Sequence, residues 1–149
     1  MGWISNWFVY SLFIGEKMAY KWGKKSLERL EQCDIRLQNL CNRMLQRSDF
    51  DMTITCGHRG KEEQEKAFRE GKGKAHFGQS KHNSTPSKAV DICPCPINWD
   101  TSDIRWHKMV ALAYDCAREL GIKIRCGAFF SFKDYPHIEL EDECLINTF

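Results

Sequence analysis

The chain has 149 residues, 42% hydrophobic and 28% charged, with a net charge of +2. That length gives one domain able to bury its own core, and the composition is ordinary for a globular protein. Acidic and basic residues interleave, so the chain lacks the dominant basic face of a nucleic-acid binder.

Residues 1–17 stand apart from the rest. Trp3, Ile4, Trp7, Phe8, Val9, Tyr10, Leu12, Phe13 and Ile14 make an aromatic, apolar stretch. It is shorter than the roughly 20 apolar residues that span a bilayer. No basic residue precedes Lys17 and no small-residue cleavage site follows, so it does not read as a secretory signal. An interfacial anchor, a segment packed on the domain and an upstream addition to a chain starting at Met18 all fit it. The chain thus divides into an N-terminal extension, 1–17, and a domain, 18–149, with any membrane contact confined to the extension.

Lys24 to Arg47 reads as one helix capped by Ser26, its core stripe formed by Leu27, Leu30, Cys33, Leu37, Leu40, Cys41, Met44 and Leu45. Met52–Cys56 reads as a strand. It leads into the loop Gly57–Gly60, which holds Arg59, either a surface arginine or a planar cationic fork for a carboxylate or a polarised carbonyl oxygen. Glu62–Glu70 reads as a short polar helix stopped by Gly71. Its Gln64 is a solvated residue or a substrate contact. The glycine-rich stretch 71–79 lacks the Gly-Lys-Ser/Thr ending of a phosphate loop and reads as the rim of a cleft.

Ser80–Pro94 places His82 on a polar loop and, nine residues later, Asp91 inside the apolar run Ala89–Cys93. A carboxylate there is costly to bury unless a cation or hydrogen bonds compensate it. Asp103 to Leu120 reads as a buried helix capped by Asp103 and stopped by Gly121, with Ile104 and Leu120 in its buried set. Ile122–Cys126 reads as a strand, and Phe129, Phe130 and Phe132 as core or cleft wall. His137–Leu140 alternates polar and apolar, putting His137 and Glu139 on one side. His58, His76 and His107 read as loop or structural residues. The eight cysteines read as reduced thiols, buried ones acting as small hydrophobes, because a chain this long needs no disulfide framework. The elements add up to an α+β domain in which two main helices pack on a small, mostly antiparallel sheet.

His82, Asp91 and His137 together offer nitrogen and oxygen ligands and leave a fourth tetrahedral position open, the pattern of catalytic rather than structural zinc. His82 and Asp91 at this spacing are weak evidence on their own. Taken as a set, Ser80-Lys81-His82, the run Pro86–Asp91 and the segment Asp134-x-x-His137-x-Glu139 resemble the phage L-alanyl-D-glutamate peptidases. These are endolysins of the D-alanyl-D-alanine carboxypeptidase superfamily of zinc peptidases. The resemblance runs from about Met18 to about Leu140 and implies a Hedgehog/DD-peptidase-like fold. It implies zinc on His82, Asp91 and His137, Asp134 as catalytic acid/base, and Arg59 against the substrate or the developing oxyanion, with Ser80 as a substrate contact; Gln64 is a candidate contact from its place after Arg59. Glu139 reads as orienting a ligand or loop group. The implied substrate is the peptidoglycan stem peptide, cut by a monomer that stays in the host cytoplasm until its release to the wall. A D-alanyl-D-alanine carboxypeptidase and a catalytically silent zinc-containing wall-binding domain are the alternatives.

Overall fold

The computed structural model describes residues 19–141; the readings made for 1–17 and for Cys144 fall outside them. The helices are α1 (Lys24–Leu30), α2 (Ile35–Arg47), α3 (Lys61–Arg69) and α4 (Ile104–Leu120). The strands are β1 (Asp51–Cys56), β2 (Ala89–Cys95), β3 (Ile124–Cys126) and β4 (His137–Leu140). The strands form one antiparallel sheet in the order β1-β2-β4-β3. The expected α+β architecture is present, with α2 and α4 as the main helices.

Register divides the sheet into two faces. Ile54 pairs with Ile92, Val90 with Ile138, and Ile124 with Leu140. All six are buried in the core with Leu37, Leu40, Met44, Trp106 and Met109 from the helices. Each such side chain contributes about 1.5–3 kcal/mol by leaving water. The opposite face carries Asp91, His137 and Glu139. Between Ile54 and Cys56 the pairing slips by a bulge at Thr55, which brings Cys56 opposite Asp91. Bulges of this kind re-aim side chains beside functional sites.

The helix expected over Lys24–Arg47 is in fact two. Asp34 N–H donates to the Ser87 carbonyl (2.8 Å) and Ser87 N–H to the Gln32 carbonyl (2.9 Å), a strand-like bridge that interrupts the helix. Asp34 then caps α2 by accepting from Arg36 N–H (2.9 Å), the local bonding that makes aspartate a better cap than a helix interior residue. Two further expectations fail with it. Leu27 is exposed, and Gly23, not Ser26, occupies the N-cap of α1. Ser26 is buried; its hydroxyl accepts from Ile54 N–H (3.0 Å) while Arg29 donates to the Ile54 carbonyl (2.8 Å). Side chains of α1 thereby close the free edge of β1. A Cβ at Gly57 would overlap the Arg29 carbonyl, so glycine lets β1 end against α1.

Asp103 caps α4 by accepting from Arg105 N–H (3.0 Å). Gly121 ends the helix with φ +69°, a left-handed conformation cheap only for glycine. Ile104 and Leu120 are exposed, contrary to their expected burial, because the buried stripe runs from Trp106 to Ala117. The strand after α4 begins at Ile124, later than expected. The seven described cysteines are free thiols. Among the described residues no helix is long and apolar enough to cross a membrane.

Candidate metal centre and active site

Asp91 and His137 face each other across β2 and β4, with Asp91 Oδ1 3.3 Å from His137 Nδ1. His82 arrives from the short 3-10 helix Lys81–Asn83, which Ser80 and Asn83 close by a reciprocal capping box. Its Nε2 lies 3.1 Å from Asp91 Oδ1 and 3.2 Å from His137 Nδ1. The three atoms form a nearly equilateral triangle. Donors at about 2.0–2.1 Å from a tetrahedral ion stand roughly 3.3 Å apart, so one ion fits this set with a fourth position open to the cleft.

The remaining ring nitrogens explain why the free ones point inward. His82 Nδ1 lies 2.7 Å from the Gly57 carbonyl, an acceptor only, so it carries the hydrogen. His137 Nε2 lies 2.9 Å from Glu139 Oε2, and Glu139 in turn sits near Lys81 (3.9 Å) and Arg125 (3.6 Å). Each imidazole therefore presents a lone pair to the triangle, the usual arrangement behind metal-binding histidines. Two lone pairs and a carboxylate oxygen cannot stay this close without a cation among them. In the metal-free protein protons supply it. Burial pulls both imidazoles down, but Asp91 outweighs it and pushes His82 up to about 10 and, with Glu139, His137 up to about 9. Burial would raise Asp91, but the two imidazoles hold it far below the usual carboxylate range.

Cys56, His82 and Asp91 also have donor atoms within 4.8 Å of one another, a group that could bind a metal ion. The thiol, however, faces His82 Nδ1 at 3.8 Å, the nitrogen already committed to Gly57. Its sulfur accepts instead from Arg59 Nη2 (3.6 Å). The geometry favours His137 over Cys56 as the third donor. Nothing in the sequence marked Cys56 as a neighbour of the site, since only the bulge puts it there.

Arg59 is held rather than loose at the surface. Its amide donates to the His82 carbonyl (2.8 Å) and its own carbonyl accepts from Asn83 (2.9 Å). The guanidinium reaches Gln64 Oε1 (3.3 Å) and stands 3.6 Å from Asp91 Oδ2. Gln64, expected to be solvated or to touch substrate, is 1% exposed. Its oxygen also accepts from Asn83 and its amide donates to the Ala75 carbonyl (2.7 Å), so it fixes Arg59, the His82 turn and the 71–79 stretch together. Ser80 lines the cleft while its hydroxyl oxygen accepts from His82 N–H (3.3 Å).

Asp134 stands at the mouth of the cleft, one turn before His137. Its N–H donates to the Gly127 carbonyl (2.9 Å) and its carbonyl accepts from His137 N–H (3.1 Å). A Cβ at Gly127 would overlap the Asp134 carbonyl and press on His137, so glycine there permits the close approach. Desolvation at the cleft wall and the Asp91 charge raise the Asp134 pKa, the direction expected of a group that both takes up and returns a proton. The cleft encloses about 630 Å³ over the triangle, with Arg59, Trp99, Phe130, Phe132 and Asp134 in its walls. Phe129 lies elsewhere, against Tyr114. His58, His76 and His107 take other partners, Thr85, Glu65 and the Thr101 carbonyl.

Residues 18–145 match the family model described as phage L-alanyl-D-glutamate peptidase. The chain is 30% identical over 128 residues to the L-alanyl-D-glutamate peptidase of Escherichia phage T5, covering 83% of this chain and 91% of that protein. Its fold resembles the crystal structure of the Serratia marcescens L-Ala D-Glu endopeptidase ChiX, with a TM-score of 0.70 and 22% identity over 85% of this chain and 94% of that one.

Proposed function

We propose, from the premise that the chain belongs to the phage L-alanyl-D-glutamate peptidase family, that it is a zinc-dependent endolysin cutting the L-alanyl-D-glutamate bond of the peptidoglycan stem peptide. The observation that carries this is the triangle of His82 Nε2, Asp91 Oδ1 and His137 Nδ1 with Asp134 and Arg59 in the same cleft. A donor set of two imidazoles and a carboxylate suits zinc. His82, Asp91 and His137 would hold the zinc, which would supply Lewis acidity and acidify a neighbouring water.

The chain's own groups do the rest. Asp134 takes a proton from the attacking water and returns it to the leaving amine. Arg59, pre-positioned by Gln64, offsets negative charge on the carbonyl oxygen or holds a substrate carboxylate. Ser80 keeps its hydroxyl hydrogen for a substrate acceptor while its oxygen caps the His82 turn. Glu139 and the Gly57 carbonyl fix the two rings. The protein waits in the host cytoplasm and acts once it reaches the wall.

Mass spectrometry of isolated peptidoglycan after incubation tests the reading. New N-terminal D-glutamate ends, absent after chelation, support the endopeptidase. Release of free D-alanine would assign a D-alanyl-D-alanine carboxypeptidase instead, and metal binding without any cut would leave a silent wall-binding domain.

A further inference from the structure

Two large aromatic rings stand in water at the catalytic cleft. Trp99 is 65% exposed and Phe132 62%, and both line the cavity above the metal triangle. Rings of this size are normally covered, and exposed ones grouped at a cleft mark a surface that a ligand covers. Trp99 is braced from below. Its ring stacks on that of Trp106 with centroids 5.9 Å apart and planes 26° from parallel. Trp106 is buried, and its indole N–H donates to the Asn98 carbonyl (2.8 Å), fixing the backbone beside Trp99. Trp106 also lies 6.2 Å from Tyr135, the residue after Asp134. The exposed indole is thus a pre-set platform tied to the catalytic loop. Phe132 is already partnered on its ring face by Lys74, 4.8 Å away, which leaves Trp99 as the principal free surface.

The chemistry of the substrate says what fits there, and this step rests on the peptidase reading above. The stem peptide is joined to the glycan through its L-alanine, so a sugar lies one residue from the bond to be cut. At about 3.3–3.6 Å per extended residue, the alanine and the lactyl ether that carries it put the sugar ring roughly 7 Å from that bond. A pyranose offers a flat face of C–H groups to an indole, whereas the methyl of alanine and the carboxylate of glutamate offer none. We propose that Trp99, with Phe132 lining the same cleft, is a sugar-stacking platform that binds the glycan next to the L-alanine and makes sugar-bearing stem peptide the preferred substrate.

The test compares kcat/KM of the zinc-loaded full chain on a disaccharide-linked stem peptide and on the same peptide without sugar. A wild-type preference of about three- to tenfold for the sugar-bearing substrate is expected, the scale of one aromatic contact. In Trp99→Ala the ratio should fall toward one through KM, and Trp99→Phe should restore much of it. Equal rates on both substrates in the wild type, or a ratio that Trp99→Ala leaves unchanged, would overturn the platform. Saturation-transfer NMR with the isolated disaccharide reads the contact without cleavage and without relying on the variant's fold. Transfer from aromatic protons to the sugar is expected, and none would overturn the proposal. Should wild type cut neither substrate at L-alanyl-D-glutamate, the peptidase reading fails, and the NMR result still decides the sugar contact.

Discussion

Asp91 and His137 are direct cross-strand partners on β2 and β4, with Oδ1 and Nδ1 3.3 Å apart. Two of the three donors are thus set by sheet register, the most rigid relationship the fold offers. A one-residue slip of either strand would send its own member of the pair to the opposite face, among the core side chains. Only His82 depends on a turn, and Ser80, Asn83 and the Gly57 carbonyl secure it.

Glu139 accepts the Nε2 hydrogen of His137 and so holds the ring with Nδ1 inward. Glu139→Gln is expected to weaken metal affinity by about 10- to 100-fold, measured by competition with a chromogenic chelator. Unchanged affinity would mean that the hydrogen bond does not orient the ring.

Asp134→Asn keeps the size of the side chain and removes its ability to accept a proton. The expected result is a fall in kcat of about 10²- to 10⁴-fold, with metal content by mass spectrometry equal to wild type. Loss of metal in parallel would make Asp134 part of the metal site instead.

The pH response should change sign with metal. Without it, His82 and His137 have pKa values raised from about 6.5 to about 10 and about 9. A raised pKa means the folded state holds the proton more tightly than the unfolded chain does. Its stabilising contribution is complete below pH 6.5 and is lost as pH rises toward 9–10. Metal-free protein should therefore melt at a lower temperature at pH 9 than at pH 6. Metal must displace those protons, so the rise in melting temperature on adding zinc should be greater at pH 8 than at pH 6. Calorimetric titrations at pH 7 in buffers of different ionisation enthalpy should show net proton release.

Gly127→Ala forces a methyl against the Asp134 carbonyl and the His137 side chain. A loss of about 1–3 kcal/mol is expected from such overpacking, read from denaturant midpoints, together with lower activity because the Asp134 loop must move. Full stability in this variant would show that the loop has room the structure does not reveal.

Side-chain alternation along the strands and most of the helix stripes were legible because they depend on residues near in sequence. His137-x-Glu139 placed both side chains on one side of β4, and the polar–apolar alternation of His137–Leu140 marked that strand as half-buried. What escaped the sequence depended on contacts distant along the chain. The break at Cys33–Asp34 follows from the bridge to Ser87, more than 50 residues on, and the stripe of leucines ran through it without interruption. Gln64 looked solvated on a polar helix, yet the Ala75 carbonyl, Arg59 and Asn83 converge on it. Cys56 required a bulge, and a bulge leaves no periodic signature. The proposed donor set was visible as three residue types in order. Which nitrogen of each histidine points inward depends on Gly57 and Glu139, and only the second could be suspected from spacing.

The central claim is that His82, Asp91 and His137, and not Cys56, hold the metal. X-ray absorption spectroscopy of the zinc-loaded protein tests it most directly. The account predicts a coordination shell of nitrogen and oxygen alone at about 2.0–2.1 Å, with imidazole scattering from two histidines. A sulfur shell at about 2.3 Å would contradict it and move the third donor to Cys56.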